Sequence, residues 1–166
     1  MYSIILNTFI EILRGMAVTT GKLNLFTFFK LPAAWWCGVR LKSIDKTKAV
    51  VTVTHSWRNQ NPFKSMFWAV QGMAAELSTA VLMIDQIEDS GRKISMLVAN
   101  NKANFSKKAT GRITFTCGDG HLIKNALDNT IETGEGQTIW MKSIGVNEDG
   151  VVVSTFNFEW TLRLKQ

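Results

Sequence analysis

The chain has 166 residues, a length that suits one domain with a proper core and excludes two comfortable ones. Hydrophobic residues make up 46% and charged residues 19%, which excludes a disordered chain. The net charge of +6 favours anionic partners such as phosphorylated small molecules, but no run of five or more Lys/Arg exists, so a nucleic-acid partner is not expected.

In chain order, Ile5, Leu6, Phe9, Ile10 and Leu13 recur at helical spacing and predict an amphipathic helix, with Gly15 and Gly21 bracketing its end. Without a basic start, and with Glu11 and Arg14 inside it, this segment does not read as a signal peptide. Residues 23–29 form a second short apolar piece that Pro32 is expected to stop. Trp35, Trp36, Phe26, Phe28 and Phe29 are expected in the core or at an interface. Residues 36–44 and 49–55 alternate and flank the turn Asp45-Lys46-Thr47-Lys48, which predicts a hairpin.

Next comes a polar loop, Asn59 to Lys64, and then an almost uncharged run over residues 65–84. The run is long enough to span a bilayer, but Gln71, Glu76, Ser78 and Thr79 argue for a buried helix instead. Ser65, Ala69, Gly72, Glu76, Thr79 and Ala80 define one helix face on which five of six residues are small. A sheet or a ligand can approach such a face closely. Phe67, Val70, Met73, Leu77, Val81 and Met83 read as ordinary core. Glu76 is a lone carboxylate in this run, and burying it costs several kcal/mol unless it is paired or hydrogen-bonded, so it marks a candidate functional site.

Residues 93–105 and 111–117 predict a second strand pair. Asp119 is placed to cap a short helix with Leu122, Ile123, Ala126, Leu127 and Ile131 on one face. Residues 137–146 and 151–164 form a last hairpin around Asn147-Glu148-Asp149-Gly150. The result is an α+β architecture, one antiparallel sheet of about six strands around a central helix. We divide the chain into an N-terminal helical extension, residues 1–34, and a single domain, residues 35–166. Cys37 and Cys117 form no CxxC, so a zinc site is not expected; two isolated thiols suit a reducing compartment or simple core filling, and the expected setting is cytoplasmic. His55 and His121 stand in no catalytic motif.

The segment Asn59-Gln60-Asn61-Pro62-Phe63-Lys64-Ser65-Met66-Phe67, running on to Ala74-Ala75-Glu76-Leu77-Ser78-Thr79, resembles a family of unknown function related to the phenylacetate-pathway type acyl-CoA thioesterases, which have the hot-dog fold. In strand order the resemblance spans residues 36–165, and in motif residues 57–79. It implies a curved antiparallel sheet wrapped around one long helix. It also implies an Asn in the loop, met by Asn61, and an acidic residue two turns or so into the helix, met by Glu76. The His-Gly-Gly at the family's helix start is replaced here by Phe67-Trp68-Ala69 or, shifted by one residue, Met66-Phe67-Trp68.

From the resemblance come the expected roles. Glu76 and Asn61 are catalytic, and the Trp68 N–H is the oxyanion donor. Phe63, Phe67, Gly72, Met73 and Thr79 line an acyl pocket, and the Trp68 indole is expected either to pack in the core or to lie across the acyl entrance. Lys102, Lys107, Lys108 and Arg112 hold coenzyme A phosphates. No cofactor is expected beyond the coenzyme A carried by the substrate. The partners are an acyl-CoA or related acyl ligand and a second copy of the chain, as a homodimer or dimer of dimers. Three functions follow: a thioesterase-like hydrolase, a non-catalytic acyl-CoA or fatty-acid binder, and a structural or regulatory dimer.

Overall fold

A computed structural model describes residues 19–165. The helix expected over residues 5–13 lies outside them. Helix α1 (Thr20–Lys30) and the short α2 (Pro32–Trp36) precede a hairpin of β1 (Arg40–Ile44) and β2 (Ala49–Thr54). The long helix α3 (Trp68–Asp89) follows, then β3 (Ile94–Phe105), β4 (Arg112–Cys117), α4 (Gly120–Thr133), β5 (Gln137–Val146) and β6 (Val152–Leu164). The six strands form one antiparallel sheet in the order β1-β2-β4-β5-β6-β3. One face of this sheet packs on α3, as a hot-dog fold requires.

Several boundaries differ from expectation for local reasons. Pro32 begins α2 instead of simply ending the preceding piece, because proline at the first helical position gives up only an N–H that has no helical partner anyway. Trp36 therefore ends a helix and does not open β1. Gly21 sits inside the first turn of α1, whose start is capped by the Thr19 side chain accepting from Lys22 N. Of the aromatic residues expected in the core or at an interface, Phe28, Phe29 and Trp36 are exposed in the protomer and so lie outside its core, and Phe28 packs edge-on against Phe29 and Trp35. Leu23 ties α1 to the core, and a polar contact adds to it. Asn24 donates to Leu41 O and accepts from Leu41 N, both at 2.9 Å, and so continues the hydrogen bonding of the β1 edge.

Helix α3 starts three residues later than the apolar run and continues to Asp89. The face that meets the sheet carries Ala74, Ala75, Ser78 and Leu82, all fully buried. Ser78 Oγ lies 2.8 Å from Ser143 Oγ of β5, so even this polar contact in the core is satisfied. The small face expected around Ala69 and Glu76 is thus rotated away from the sheet centre, and Glu76 is exposed in the protomer. The helix packs on β1, β2, β4, β5 and β6 and has at most marginal contact with β3. Asn101, Ala103 and Phe105 of β3, register partners of the core-facing Phe158, Phe156 and Ser154, are consequently left uncovered. Among the described residues no helix is long and apolar enough to cross a membrane.

Candidate functional site

The loop before α3 is built by two asparagines. Asn59 is buried; its Nδ2 donates to Cys37 O and Thr54 O, both at 2.9 Å, and its Oδ1 accepts from Ser56 N at 2.8 Å. Its carbonyl accepts from Phe67 N, which pins the helix start to the end of β2. Asn61 makes the tight turn: Oδ1 accepts from Phe63 N at 2.9 Å and Ser65 N at 3.3 Å, while Nδ2 donates to Ser65 Oγ at 3.1 Å. Lys64 takes up a φ of 58° to close the turn. An asparagine side chain accepting from backbone N–H groups two or more residues on is the usual physics of such turns. It also means that the Asn61 amide is committed to the loop.

Phe67 caps α3 without a side-chain acceptor. The N–H groups of Val70 and Gln71 return to Phe67 O. Those of Trp68 and Ala69 carry no partner among the described residues. The helix therefore opens on free donors at its positive end, suited to an anion or a developing oxyanion.

Beside this helix start runs an open groove of about 420 Å³, lined by the loop, the first turn of α3 and the β3–β4 connection. It brings together Asn61, Phe63, Trp68, Lys107 and Lys108 of the expected set, with Ser65, Met66, Gln71, Phe105, Ser106 and Ala109. The Trp68 indole is not core. It is 58% exposed, in edge-on contact with Phe67 at 5.8 Å. At the first helical position this large ring lies along the open groove and is not covered by the sheet. Lys108 Nζ donates to Phe63 O at 3.3 Å and braces the groove rim.

The remaining expected residues fall elsewhere. Glu76, two turns into α3, does not line the groove, and its carboxylate lies on the uncovered flank of the helix. Protein atoms crowd that flank enough that desolvation raises its carboxyl above the ordinary value even though it reaches the surface. Thr79 is buried and structural: its hydroxyl donates to Glu76 O at 2.8 Å and accepts from Trp160 Nε1 at 3.0 Å. Gly72 faces Phe156 and Met73 packs against the core, so neither lines the groove. Lys102 stands over the Trp140 ring on the opposite sheet face, 5.1 Å from its centroid. Arg112 is paired with Glu148 at 2.8 Å. Those two cations do not join Lys107 and Lys108 in one phosphate site.

Six groove residues lie outside the expected set, and two of them are polar side chains of the helix start. Ser65, expected in the helix, closes the Asn61 turn. Gln71, only 4% exposed, serves in the sequence only as an argument against a membrane span. The available signal was a lone amide one turn into an apolar helix. Burial pushes the Cys117 thiol up to about 12, so it is no nucleophile. Among the described residues no three His, Cys, Asp or Glu side chains gather as a metal site.

Solved structures share this architecture. A protein of unknown function from Pseudomonas aeruginosa, described as a probable thioesterase, superposes with a TM-score of 0.80 at 21% identity, over 90% of this chain and 99% of that one. A protein of unknown function from Chlorobaculum tepidum gives 0.77 at 17%, over 88% and 94%. A thioesterase from Haemophilus influenzae gives 0.70 at 13%, over 90% and 93%. At such identities the likeness establishes the hot-dog fold, and activity has to be argued from the site. No curated protein matches the chain. Residues 21–162, nearly all of the described chain, match the family named Domain of unknown function (DUF4442), and the protein belongs to that family.

Proposed function

We propose that the protein handles acyl thioesters, hydrolysing a coenzyme A ester at a site completed by a second copy of the chain, in the cytoplasm. The observation that carries this reading is the groove at the start of α3, where free helix N–H groups, an apolar lining and two lysines meet. The thioester carbonyl would lie against Trp68 N–H, which stabilises negative charge as the carbonyl becomes tetrahedral. Lys107 and Lys108 would hold the nucleotide phosphates of the coenzyme A. Glu76, with its raised pKa, would take the proton from the attacking water and return it to the departing thiolate. Because Glu76 lies on the uncovered flank, it would serve the groove of the neighbouring copy. Asn61 acts here as the builder of the loop and not as a water-orienting group.

The test is turnover of a panel of coenzyme A thioesters by wild type and Glu76→Gln. Loss of the acid–base group is expected to lower kcat by about 10² to 10⁴ with little change in ligand affinity. Equal turnover by the variant would remove Glu76 from the mechanism.

A second reading, binding without hydrolysis, is favoured by one observation: an exposed Trp68 indole at the oxyanion donor, where the resemblance implies a glycine. It predicts saturable binding of the same esters with no thiol released.

A further inference from the structure

Gln71 is the one groove residue whose chemistry the reading above leaves unused. Its side chain is 96% removed from solvent by burial, being only 4% exposed. Nε2 donates to Met66 O at 3.4 Å, a long bond. Oε1 has no partner. The amide is not free to exchange its two ends, because turning Oε1 toward the Met66 carbonyl would oppose two acceptors. Gln71 lines the groove, and Oε1 is the end of its amide left without a partner there. A buried acceptor without a donor is costly, and folded proteins rarely keep one. The neighbouring polar groups do not relieve it: the Asn61 amide is bound within its own turn, and Lys108 Nζ reaches Phe63 O.

We infer that Gln71 selects and orients the ligand, its Oε1 accepting a hydrogen bond from a neutral N–H or O–H close to the thioester carbonyl. The inference rests on the thioester reading and specifies its substrate. Gln71 stands one turn beyond Trp68, and its side chain reaches back along the helix to Met66 O, which brings its amide toward the helix start. Two chemical sources supply a donor near a carbonyl bound there. One is the first amide N–H of the pantetheine arm, two carbons beyond the sulfur. The other is a hydroxyl on the acyl chain near the carbonyl. Either would satisfy Oε1 only when the carbonyl sits at the helix start, so the bond sets register as well as preference. A site built around an acceptor discriminates against ligands that lack the donor, because its own group is then left buried and unpaired.

The experiment compares wild type with Gln71→Met, which keeps length and removes the acceptor. Binding is measured by calorimetry for a plain acyl-CoA, for its analogue with the first arm amide replaced by an ester, and for the matching 3-hydroxyacyl-CoA. Wild type is expected to lose about tenfold in affinity, ~1.4 kcal/mol, when the arm N–H is removed, or to gain as much from the hydroxyl. Whichever arm responds identifies the source. In Gln71→Met that preference is expected to vanish while the melting temperature holds or rises. Wild type that binds the esters with no preference in either arm overturns the role of Gln71 and leaves the thioester reading standing. A preference retained by Gln71→Met, or a variant whose only change is a lower melting temperature, marks Gln71 as a strut for Met66 and also overturns it. Wild type that binds none of the three ligands defeats both readings.

Discussion

At the scale of single residues, Trp68 and Glu76 decide most. The Trp68 ring has lost little of its surface to the core, so Trp68→Gly creates no large cavity. The variant is expected to stay folded, losing no more than the ~1 kcal/mol of a glycine in a helix. If the indole screens the oxyanion donor, turnover of long-chain esters rises at least about tenfold in this variant, as a stopped-flow thiol-release assay would register. Unchanged turnover would clear the indole of that role. Glu76 gives a prediction in pH. Its carboxyl is raised in the folded protein by desolvation, so the native state holds the proton more tightly than the unfolded chain, whose ordinary value is 4.5. Stability is therefore full below 4.5 and falls as pH climbs through the higher folded value. Glu76→Gln cannot lose a proton. Its melting temperature should exceed that of wild type at pH 8, and the two should converge by pH 4. A gain that persists at pH 4 would place the effect outside the titration of this carboxyl.

At the scale of elements, the end of α3 remote from the groove is locked by the β1–β2 turn and α4. Lys46 Nζ bonds Asp85 at 2.8 Å and also Asp89, while Gln86 Nε2 donates to Lys46 O at 3.0 Å and Gly120 O at 2.7 Å. Gly120 has no room for a side chain: a Cβ would lie 2.4 Å from Lys46 O and 2.7 Å from Thr47 Cα, both backbone atoms that cannot swing aside. Gly120→Ala is expected to cost about 1–3 kcal/mol by urea denaturation, the usual price of overpacking. It should act on stability without altering the groove at the other end of the helix. A neutral result would mean that the turn yields. Asp119, expected to cap α4 with its side chain, instead accepts from Lys142 N of β5, so the helix start is set by the Gly120–Thr47 fit and not by a cap.

At the scale of the whole molecule, β3 is a 12-residue strand that, among the described residues, pairs only with β6. Its outer N–H and C=O groups, and the exposed Phe67, Trp68 and Phe105 beside it, form an edge that folded proteins seldom leave open. Sedimentation is expected to give at least twice the 18.6 kDa chain mass at micromolar concentration. A stable monomer would deprive Glu76 of the neighbouring groove that the proposed chemistry needs.

Alternation, turn residues and one long uncharged run mark all six strands and the long helix in the sequence, because these signals are imposed locally by which side of a strand or helix meets water and by where the chain must reverse. The residues of β5 coincide with the expected ones end to end, and β6 differs by one. The polar loop over residues 59–64 was also legible, since it rests on residue type in local context. Three matters were settled only by the tertiary fold. Burial of a helix face depends on where the sheet ends, and β3 lies beyond the reach of α3, so Glu76 and Trp68 emerged at the surface. Which cations share a site depends on strand register: Lys102 and Ala103 are neighbours in sequence yet point to opposite sheet faces. And the unpartnered oxygen of Gln71 follows from where Met66 O lies, because whether a buried amide is satisfied is a matter of which groups the packed chain brings within hydrogen-bonding distance.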